Sequence, residues 1–343
     1  MTVTRRPRIA LLAAPETSAS VLYGLYDVLT SVGPMWPDMT AAESGDALLE
    51  VSIVAASSEP FRCFGNILVE PHAAVVDIDE VDAVVVCDMY TPIDTPPRGR
   101  FTIEIEWLRR VHSRGTLLAT VCTGSLLLAE AGLLDGRSSA GHWAYRDLFA
   151  SAYPRVRFGP GLILDLANEG DGLITAGGVT SWQDLALHLI AKFCGPEQAA
   201  RTAKVYLLAG HEDGQLPFSA MTRHVRPGDA VISDCLAWIA DNSATPNPVA
   251  AMAERSGLTR RTFARRFQAA TGQRPIDHVH ALRIEGARLL LETGRGGVDD
   301  VGYSVGYEDP TFFRRLFKRT TDMTPAAYRR KYASIVPVGW RVP

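Results

Sequence analysis

One cysteine stands between a β-like run and a helix-like run, in the segment TVCTGSLLLAE at residues 120–130. Cys122, followed by Thr123 and a glycine, has the layout of a nucleophile elbow, a sharp turn that exposes a side chain at the carboxyl end of a strand. A helix N-terminus at that place stabilises a thiolate and lowers the pKa of the thiol. His142 follows twenty residues later and is a candidate acid–base partner. Cys122 is therefore a candidate nucleophile, a candidate ligand- or redox-sensing group, or a small buried hydrophobe.

A second set of functional side chains occurs twice near the C-terminus. Segment 254–275 (ERSGLTRRTFARRFQAATGQRP) aligns with segment 304–325 (SVGYEDPTFFRRLFKRTTDMTP), with most matches 50 residues apart. Each copy predicts a short helix, a glycine turn and a second helix with phenylalanines at i and i+4 on one buried face, which is the helix-turn-helix layout. The recurring residues are Phe263, Phe267 and Pro275, then Phe313, Phe317 and Pro325.

The faces opposite the phenylalanines carry side chains suited to DNA. They are Arg261 and Arg265 in the first copy and Thr311, Arg314 and Arg315 in the second. Arginine on a helix in the major groove can make paired hydrogen bonds to guanine. One copy alone would indicate an amphipathic helix pair with a basic, solvated surface, whereas two copies in register favour DNA binding.

The sequence also predicts where the arginine-bearing helices begin and what joins the two copies. Thr259 is predicted to cap the first arginine-bearing helix, and Asp309 with Pro310 to open the second. A long helical stretch at 276–291 joins the two copies.

Before about residue 195 the chain alternates short apolar runs with longer helical ones. The runs VDAVVVC and GTLLATVC are apolar throughout, which indicates strands buried on both faces of a mostly parallel sheet. The predicted fold class is therefore a doubly wound α/β sandwich followed by an all-α domain. The predicted strands are residues 8–14, 49–55, 83–87, 116–121 and 173–175, and the predicted helices are 21–30, 104–113, 125–131, 145–150 and 182–193.

The alternation stops near residue 196, where a helix at 197–209 and the segment HEDGQLPFSAMTRHVRPGD indicate an arm and linker. The predicted domains are residues 1–195 (α/β), 196–230 (helical arm and linker), 231–335 (DNA-binding) and 336–343 (tail).

Charge is distributed unevenly along the chain. Residues 232–343 contain 17 Lys and Arg against 11 Asp and Glu, a net charge of +6. The totals of 35 and 38 leave 18 and 27 before that point, a net charge of −9. An acidic body with a basic tail domain fits a module that binds a polyanion.

Several classes of protein do not fit the composition. Five scattered cysteines without C-x-x-C spacing indicate neither a disulfide framework nor a zinc site, and a reducing cytoplasm is the expected location. No phosphate-binding loop follows a strand, so no nucleotide cofactor is expected. The histidines show no metal-ligand spacing with acidic or thiol partners, so no metal is expected. No apolar run approaches the roughly 20 residues needed to span a bilayer, so no membrane partner is expected.

Residues 249–332 resemble the AraC/XylS-type DNA-binding domain, through SGLTRRTFARRF, RIEGARLLLETG and VGYEDPTFFRRLFKRTTDMTPAAYRR. By that resemblance, double-stranded DNA is the partner. Gly302 stands where the family usually has alanine, and Asp322 where glycine is usual. The glycine should cost its helix roughly 0.5–1 kcal/mol. The residues expected to face bases are Arg261, Arg265, Thr311 and Arg315, with Arg314 and Lys318 near phosphates.

The run CTGSLLLAEAGLLDGRSSAGHW at 122–143, with SWQDLALHLI at 181–190, resembles the PfpI/ThiJ-like, glutamine-amidotransferase-type domain. The whole chain thereby resembles GlxA-type transcriptional regulators, in which such a domain precedes an AraC-type one. The resemblance implies a homodimer and a small-molecule effector. The expected effector pocket comprises Cys122, Thr123, His142, Trp143 and Gly178, with Glu16 as the candidate carboxylate.

The position of that carboxylate is ambiguous, because alignment on GLYDVL at 24–29 would place it at Ser20 or Val21 instead. The predicted function is therefore a DNA-binding transcriptional regulator that senses a small metabolite and has no catalytic residues. The alternative is a thiol-dependent hydrolase, hydratase or glyoxalase-like enzyme with a DNA-binding tail.

Overall fold

The computed structural model describes residues 5–40, 45–218, 228–294 and 296–333. They belong to two compact units, Met1–Gln215 and Leu216–Pro343. Of the arm and linker expected at 196–230, residues 196–215 belong to the first unit, where the helix after residue 195 packs on the last helix of the α/β sandwich. Residues 219–227 of that segment and the tail expected at 336–343 lie outside the described residues.

The first unit is built around a mostly parallel sheet. Its described strands are β1 (Arg8–Leu12), β2 (Glu50–Ala55), β3 (Phe61–Arg62), β4 (Leu68–Val69), β5 (Ala73–Ala74), β6 (Ala83–Val86), β7 (Leu117–Val121), β8 (Ser138–Ser139), β9 (Arg157–Phe158), β10 (Leu164–Asp165) and β11 (Leu173–Ala176). Seven of these form the main sheet in the order β10-β11-β7-β6-β1-β2-β5, in which β10 alone is antiparallel to its neighbour. The five strands predicted from the sequence are confirmed to within two residues at each end.

Helices cover both faces of the sheet. They are α1 (Ala19–Thr30), α2 (Met35–Thr40), α3 (Thr102–Ser113), α4 (Ser125–Glu130), α5 (Arg146–Ala152), α6 (Trp182–Cys194) and α7 (Pro196–Tyr206). Because side chains of a strand alternate between faces, Ile9 and Leu11 pack under α1 and α6, while Leu12 packs under α3 to α5. The doubly wound α/β class is thereby confirmed.

The structure corrects some local details of this unit. The helix expected to reach residue 209 ends at Tyr206, and Leu207 turns the chain with a left-handed φ of 54°. The sequence prediction missed α2 and the two-residue strands, since segments this short carry too few residues for a periodic pattern.

Every regular element among the described residues of the second unit is a helix. The helices are α8 (Ala230–Asn242), α9 (Pro248–Arg255), α10 (Arg260–Thr271), α11 (Pro275–Thr293), α12 (Val298–Ser304), α13 (Pro310–Thr321) and α14 (Pro325–Tyr332). Two apolar cores form, one around Phe263 and Phe267 and one around Phe313 and Phe317. The long helix α11 supplies Val279 to the first core and other apolar residues to the second, so it joins two separately packed helix-turn-helix units.

Among the described helices, none is both long and apolar enough to cross a bilayer.

Candidate functional site

The cysteine elbow is present at the carboxyl end of β7. The strand ends at Val121, and Cys122 has a φ of 55°, a left-handed backbone that costs a non-glycine residue on the order of 1 kcal/mol. Gly124 permits the turn, because a Cβ there would lie 2.6 Å from the carbonyl oxygen of Val86 and 2.8 Å from that of Cys87. The predicted strand–turn–helix geometry is confirmed.

Thr123 ties the elbow to the loop after β6. Its hydroxyl donates to the carbonyl oxygen of Met89 at 2.6 Å and accepts from the Met89 amide at 2.8 Å. Thr123, a residue of the expected effector pocket, is only 6% exposed and joins the elbow to this loop.

The electrostatics of the thiol differ from the sequence expectation. Burial first, and then the nearby Asp88 carboxylate, raise the pKa of Cys122 to about 12. The prediction that a helix N-terminus lowers this pKa is wrong, because the thiol is buried among apolar side chains and desolvation outweighs the helix dipole. At neutral pH the side chain is therefore a thiol.

The carboxylate whose charge acts on Cys122 is Asp88, which the sequence analysis did not single out. Its two oxygens accept from the Ser18 hydroxyl at 2.5 Å and the Ser18 amide at 3.3 Å, and burial raises its pKa. The sequence signal for Asp88 was its position directly after the apolar run VDAVVVC, at the end of a buried strand. Ser18 directly precedes α1 and lies between the candidate carboxylate positions Glu16 and Ser20; its side chain makes no capping hydrogen bond to the helix.

Glu16, the candidate partner of the thiol, is engaged elsewhere. One carboxylate oxygen forms an ion pair with Arg100, and the other is buried without a hydrogen-bond partner among the described residues. The candidate alternatives Ser20 and Val21 lie within α1.

His142 is held by the backbone after β8. Its Nδ1 accepts from the Ala144 amide at 3.3 Å, and burial lowers the pKa of the imidazole. Its ring lies 5.1 Å from that of Trp143 and meets Tyr145 edge-on at 6.2 Å. Within the described chain no hydrogen bond joins His142 to Cys122, so a thiol–imidazole pair is not formed.

Gly178, the last expected pocket residue, follows β11 with an extended backbone. Together with Gly177 it lies against the buried side chain of Gln215, a contact that the sequence analysis missed because the two segments are distant along the chain.

The second candidate site is the exposed face of α10 and α13. Phe263, Phe267, Phe313 and Phe317 are completely buried, and their rings pack at 5.6 Å within α10 and 5.8 Å within α13. All the side chains expected to contact DNA are exposed on the opposite faces: Arg261, Arg265, Thr311, Arg314, Arg315 and Lys318.

Both arginine-bearing helices begin with the predicted caps. The Thr259 hydroxyl accepts from the Thr262 amide at 3.4 Å, and the Asp309 carboxylate accepts from the Thr311 amide at 2.8 Å. Both also end in a left-handed residue, Gly272 at φ 75° and Asp322 at φ 61°. The departure at Asp322 therefore preserves the backbone that glycine supplies in the first copy.

The side chains expected to contact DNA differ in the interactions that hold them. Arg314 forms an ion pair with Asp299, and the guanidinium of Arg315 lies 5.8 Å from the ring centroid of Phe312. In the described residues Arg261 and Arg265 have no ion pair or hydrogen bond, so they are available to a ligand.

Arg283 on α11 organises the two helix-turn-helix units and was missed by sequence reasoning. It donates to the carbonyl oxygens of Ser243 and Gly306, each at 2.7 Å, and of Thr245 at 3.0 Å. These carbonyls lie before α9 and before α13, so one buried guanidinium joins both units. An arginine among apolar residues of a helix was the only sequence signal.

The fold and the two sites define a class of protein: a DJ-1/PfpI domain followed by an AraC-type helix-turn-helix domain. The chain belongs to the DJ-1/PfpI family, whose model matches residues 7–192. A model described as helix-turn-helix domain matches residues 252–331.

Named relatives match different shares of this chain. The HTH-type transcriptional regulator CdhR of Pseudomonas aeruginosa is 27% identical over 308 residues, 89% of this chain and 88% of its own. The HTH-type transcriptional regulator GlxA of Rhizobium meliloti is 29% identical over 66% of this chain and 69% of its own. The isonitrile hydratase of Pseudomonas putida is 27% identical over 56% of this chain and 74% of its own.

Proposed function

We propose that this protein is a sequence-specific DNA-binding transcriptional regulator whose first unit senses a small molecule. The observation that carries the proposal is the pair of helix-turn-helix units, each with buried phenylalanines and exposed arginines on one recognition helix. Two such helices on one rigid support suit successive major-groove segments of a duplex. The similarity to CdhR over 89% of the chain supports the same conclusion.

The state of the elbow favours recognition over catalysis. A nucleophilic thiol needs a base that removes its proton. Burial raises the pKa of Cys122 to about 12, His142 is held by a backbone amide, and Glu16 is paired with Arg100. We therefore infer that the surroundings of Cys122, Thr123, His142, Trp143 and Gly178 serve to bind an effector.

The partners and location follow from the same reasoning. We infer a homodimer, because the family resemblance implies one, and a cytoplasmic location, because the ligand of the second unit is DNA. An effector can regulate only if it binds one arrangement of the protein more tightly than another.

The DNA-binding proposal is tested by an electrophoretic mobility shift with the promoter region next to the protein's own gene. Wild type should bind selectively and with strong salt dependence. Arg261→Ala combined with Arg315→Ala should weaken specific binding by roughly 2–6 kcal/mol, if each arginine reads a base. The matched control is Arg146→Ala with Arg157→Ala, two exposed arginines of the first unit. Equal affinity of the two double variants would refute the assignment of the recognition helices.

A thiol-dependent enzyme is the second candidate, favoured by the strained backbone at Cys122 and the similarity to an isonitrile hydratase. Turnover of isonitrile or dicarbonyl substrates that is lost in Cys122→Ser would support it. Turnover that is absent, or unchanged in Cys122→Ser, would remove it.

A further inference from the structure

The side chain of Gln215 is enclosed at the carboxyl edge of the sheet in the first unit. It is 4% exposed, and its Nε2 donates to the carbonyl oxygens of Gly141 at 2.9 Å and Leu162 at 2.7 Å. The backbone amide of Gln215 donates to the carbonyl oxygen of Gly161 at 3.0 Å. Both carboxamide hydrogens are therefore used by converging carbonyl groups.

Glycines make the space that this carboxamide fills. A Cβ on Gly177 would lie 2.2 Å from Nε2 of Gln215, and a Cβ on Gly178 would lie 3.1 Å from Oε1. The orientation of the amide is determined, because carbonyl oxygens accept and only the amino group can donate to them. We call this space, formed by Gly141, Leu162, Gly177 and Gly178, the glycine cradle.

The cradle leaves its occupant incompletely satisfied. Oε1 of Gln215 is buried and has no donor among the described residues. A buried acceptor without a donor destabilises the docked state. A molecule that donates hydrogen bonds from the same position would therefore compete with this side chain.

The cradle adjoins the proposed effector site. Gly141 directly precedes His142, and a Cβ on Gly141 would lie 3.0 Å from the Ser125 hydroxyl oxygen. That hydroxyl donates to the carbonyl oxygen of Cys122 at 3.0 Å. Displacement of the Gln215 side chain from Gly141 would therefore change the packing of Ser125 beside Cys122.

Two residues further along the chain, Pro217 belongs to the second unit. Within that unit its carbonyl oxygen accepts from the guanidinium of Arg288 and lies 3.4 Å from the Tyr328 hydroxyl oxygen, which donates its proton to Glu292 at 2.5 Å. The ring of Tyr328 meets that of Phe317 on α13 edge-on at 5.4 Å. The segment that begins at Gln215 thus ends against the core of the second helix-turn-helix unit.

We propose that the glycine cradle is a binding site for a primary amide or ammonium group and that the Gln215 carboxamide is its internal occupant. A small molecule with such a group displaces the side chain of Gln215. The displacement frees residues 208–215 and changes the contacts of the Pro217 carbonyl group with Arg288 on α11 and Tyr328 on α14. This inference rests on the proposed function, since it gives the chemistry by which the effector site and DNA binding are linked.

The first test replaces the occupant in the full-length chain. Gln215→Glu keeps the shape of the side chain but places carboxylate oxygens against the carbonyl oxygens of Gly141 and Leu162. Gly178→Ala adds a methyl group close to Oε1 of Gln215, and the backbone at this position is one that alanine adopts. The control is Glu212→Gln, an exposed residue of the same segment. Both cradle variants should raise hydrogen exchange at 208–218 by at least about tenfold and change DNA affinity by at least about fivefold, a typical allosteric coupling. Exchange and affinity equal to those of Glu212→Gln would overturn the proposal.

The second test uses acetamide as the probe and acetate as its matched control, because acetate lacks N–H donors. Acetamide should raise exchange at 208–218 in wild type with saturation and have no such effect in Gln215→Glu. An effect that does not saturate, or that acetate reproduces, would also overturn the proposal. Failure of the proposed function is distinguishable, since it would appear as loss of selective DNA binding by wild type while the exchange measurements still report on the cradle.

Discussion

At the scale of single residues, the elbow shows how burial decides the chemistry of a thiol. Cys122 has the strained backbone of a nucleophile, but its side chain is 4% exposed and lies near the buried Asp88 carboxylate. Both effects disfavour the thiolate, and desolvation is the larger. The strain at Cys122 therefore positions a neutral side chain at the carboxyl edge of the sheet.

The alkylation rate of Cys122 should report this state. Since its pKa is raised to about 12, the rate at neutral pH should be lower than that of a free thiol by at least on the order of a hundredfold and should still be rising at pH 10. Asp88→Asn should lower this pKa, because it removes a negative charge near the thiol. Iodoacetamide labelling read by peptide mass spectrometry, with the less buried Cys194 as reference, measures both. A plateau below about pH 9, the free-thiol range, would contradict the expectation.

At the scale of elements, the two helix-turn-helix units repeat each other down to individual hydrogen bonds. Thr271 and Thr321 each donate to the carbonyl oxygen of the residue four before them, at 2.7 and 2.9 Å, and each accepts from the amide two residues later at 3.3 Å. The same turn therefore leads from each recognition helix into the next proline-initiated helix.

Gly302 on α12 packs directly against a buried phenylalanine ring of α13. A Cβ there would lie 2.9 Å from the ring of the fully buried Phe313. Gly302→Ala should therefore destabilise α12 by about 1–2 kcal/mol, because overpacking costs more than the improved helix propensity returns. Gly286→Ala on α11 is the control: its Cβ would meet Val305 at an ordinary 3.5 Å, so stabilisation of up to about 1 kcal/mol is expected. Hydrogen exchange measures the two effects, in α12 for Gly302→Ala and in α11 for Gly286→Ala, and stabilisation by Gly302→Ala would contradict the packing argument.

Arg283 should control the arrangement of the two helix-turn-helix units. Arg283→Lys keeps the charge, but a lysine cannot donate to three carbonyl oxygens in fixed directions. The free energy of unfolding should therefore fall by at least about 3 kcal/mol. DNA affinity should fall although every recognition side chain is intact. Arg274→Lys at the start of the same helix alters an exposed ion pair with Asp277 and should cost less than about 1 kcal/mol. Urea unfolding and gel-shift assays distinguish the two, and equal effects would argue against Arg283 as a positioning residue.

At the scale of the whole molecule, opposite charge is separated along the chain. A net charge of −3 conceals −9 before residue 232 and +6 after it. The attraction for DNA therefore depends on the basic side chains of the second unit and is screened by salt.

The salt dependence of binding should separate phosphate contacts from base contacts. Lys318→Ala should weaken binding to all sequences alike and reduce the slope of log affinity against log salt by about 1. Arg265→Ala should instead reduce discrimination between operator and other DNA by about 1–3 kcal/mol. Titrations by fluorescence anisotropy at several salt concentrations measure both, and an unchanged slope for Lys318→Ala would remove it from the phosphate contacts.

Local sequence patterns were sufficient for much of this protein. Continuous apolar runs predict strands buried on both faces, and phenylalanines four residues apart predict the buried face of each recognition helix. The caps Thr259 and Asp309 and the turn at Cys122 and Gly124 depend on neighbouring residues alone. Such features are readable because each requires particular residue types at fixed short spacing.

The tertiary structure alone decided the features that depend on distant segments. Desolvation by surrounding strands and helices sets the pKa of Cys122, and the approach of Asp88 adds to it. Arg283 joins carbonyls 40 and 23 residues away, and Gln215 reaches Gly141 from 74 residues along the chain. Burial and long-range hydrogen bonding arise from packing in three dimensions, which no short-range pattern of residue types records.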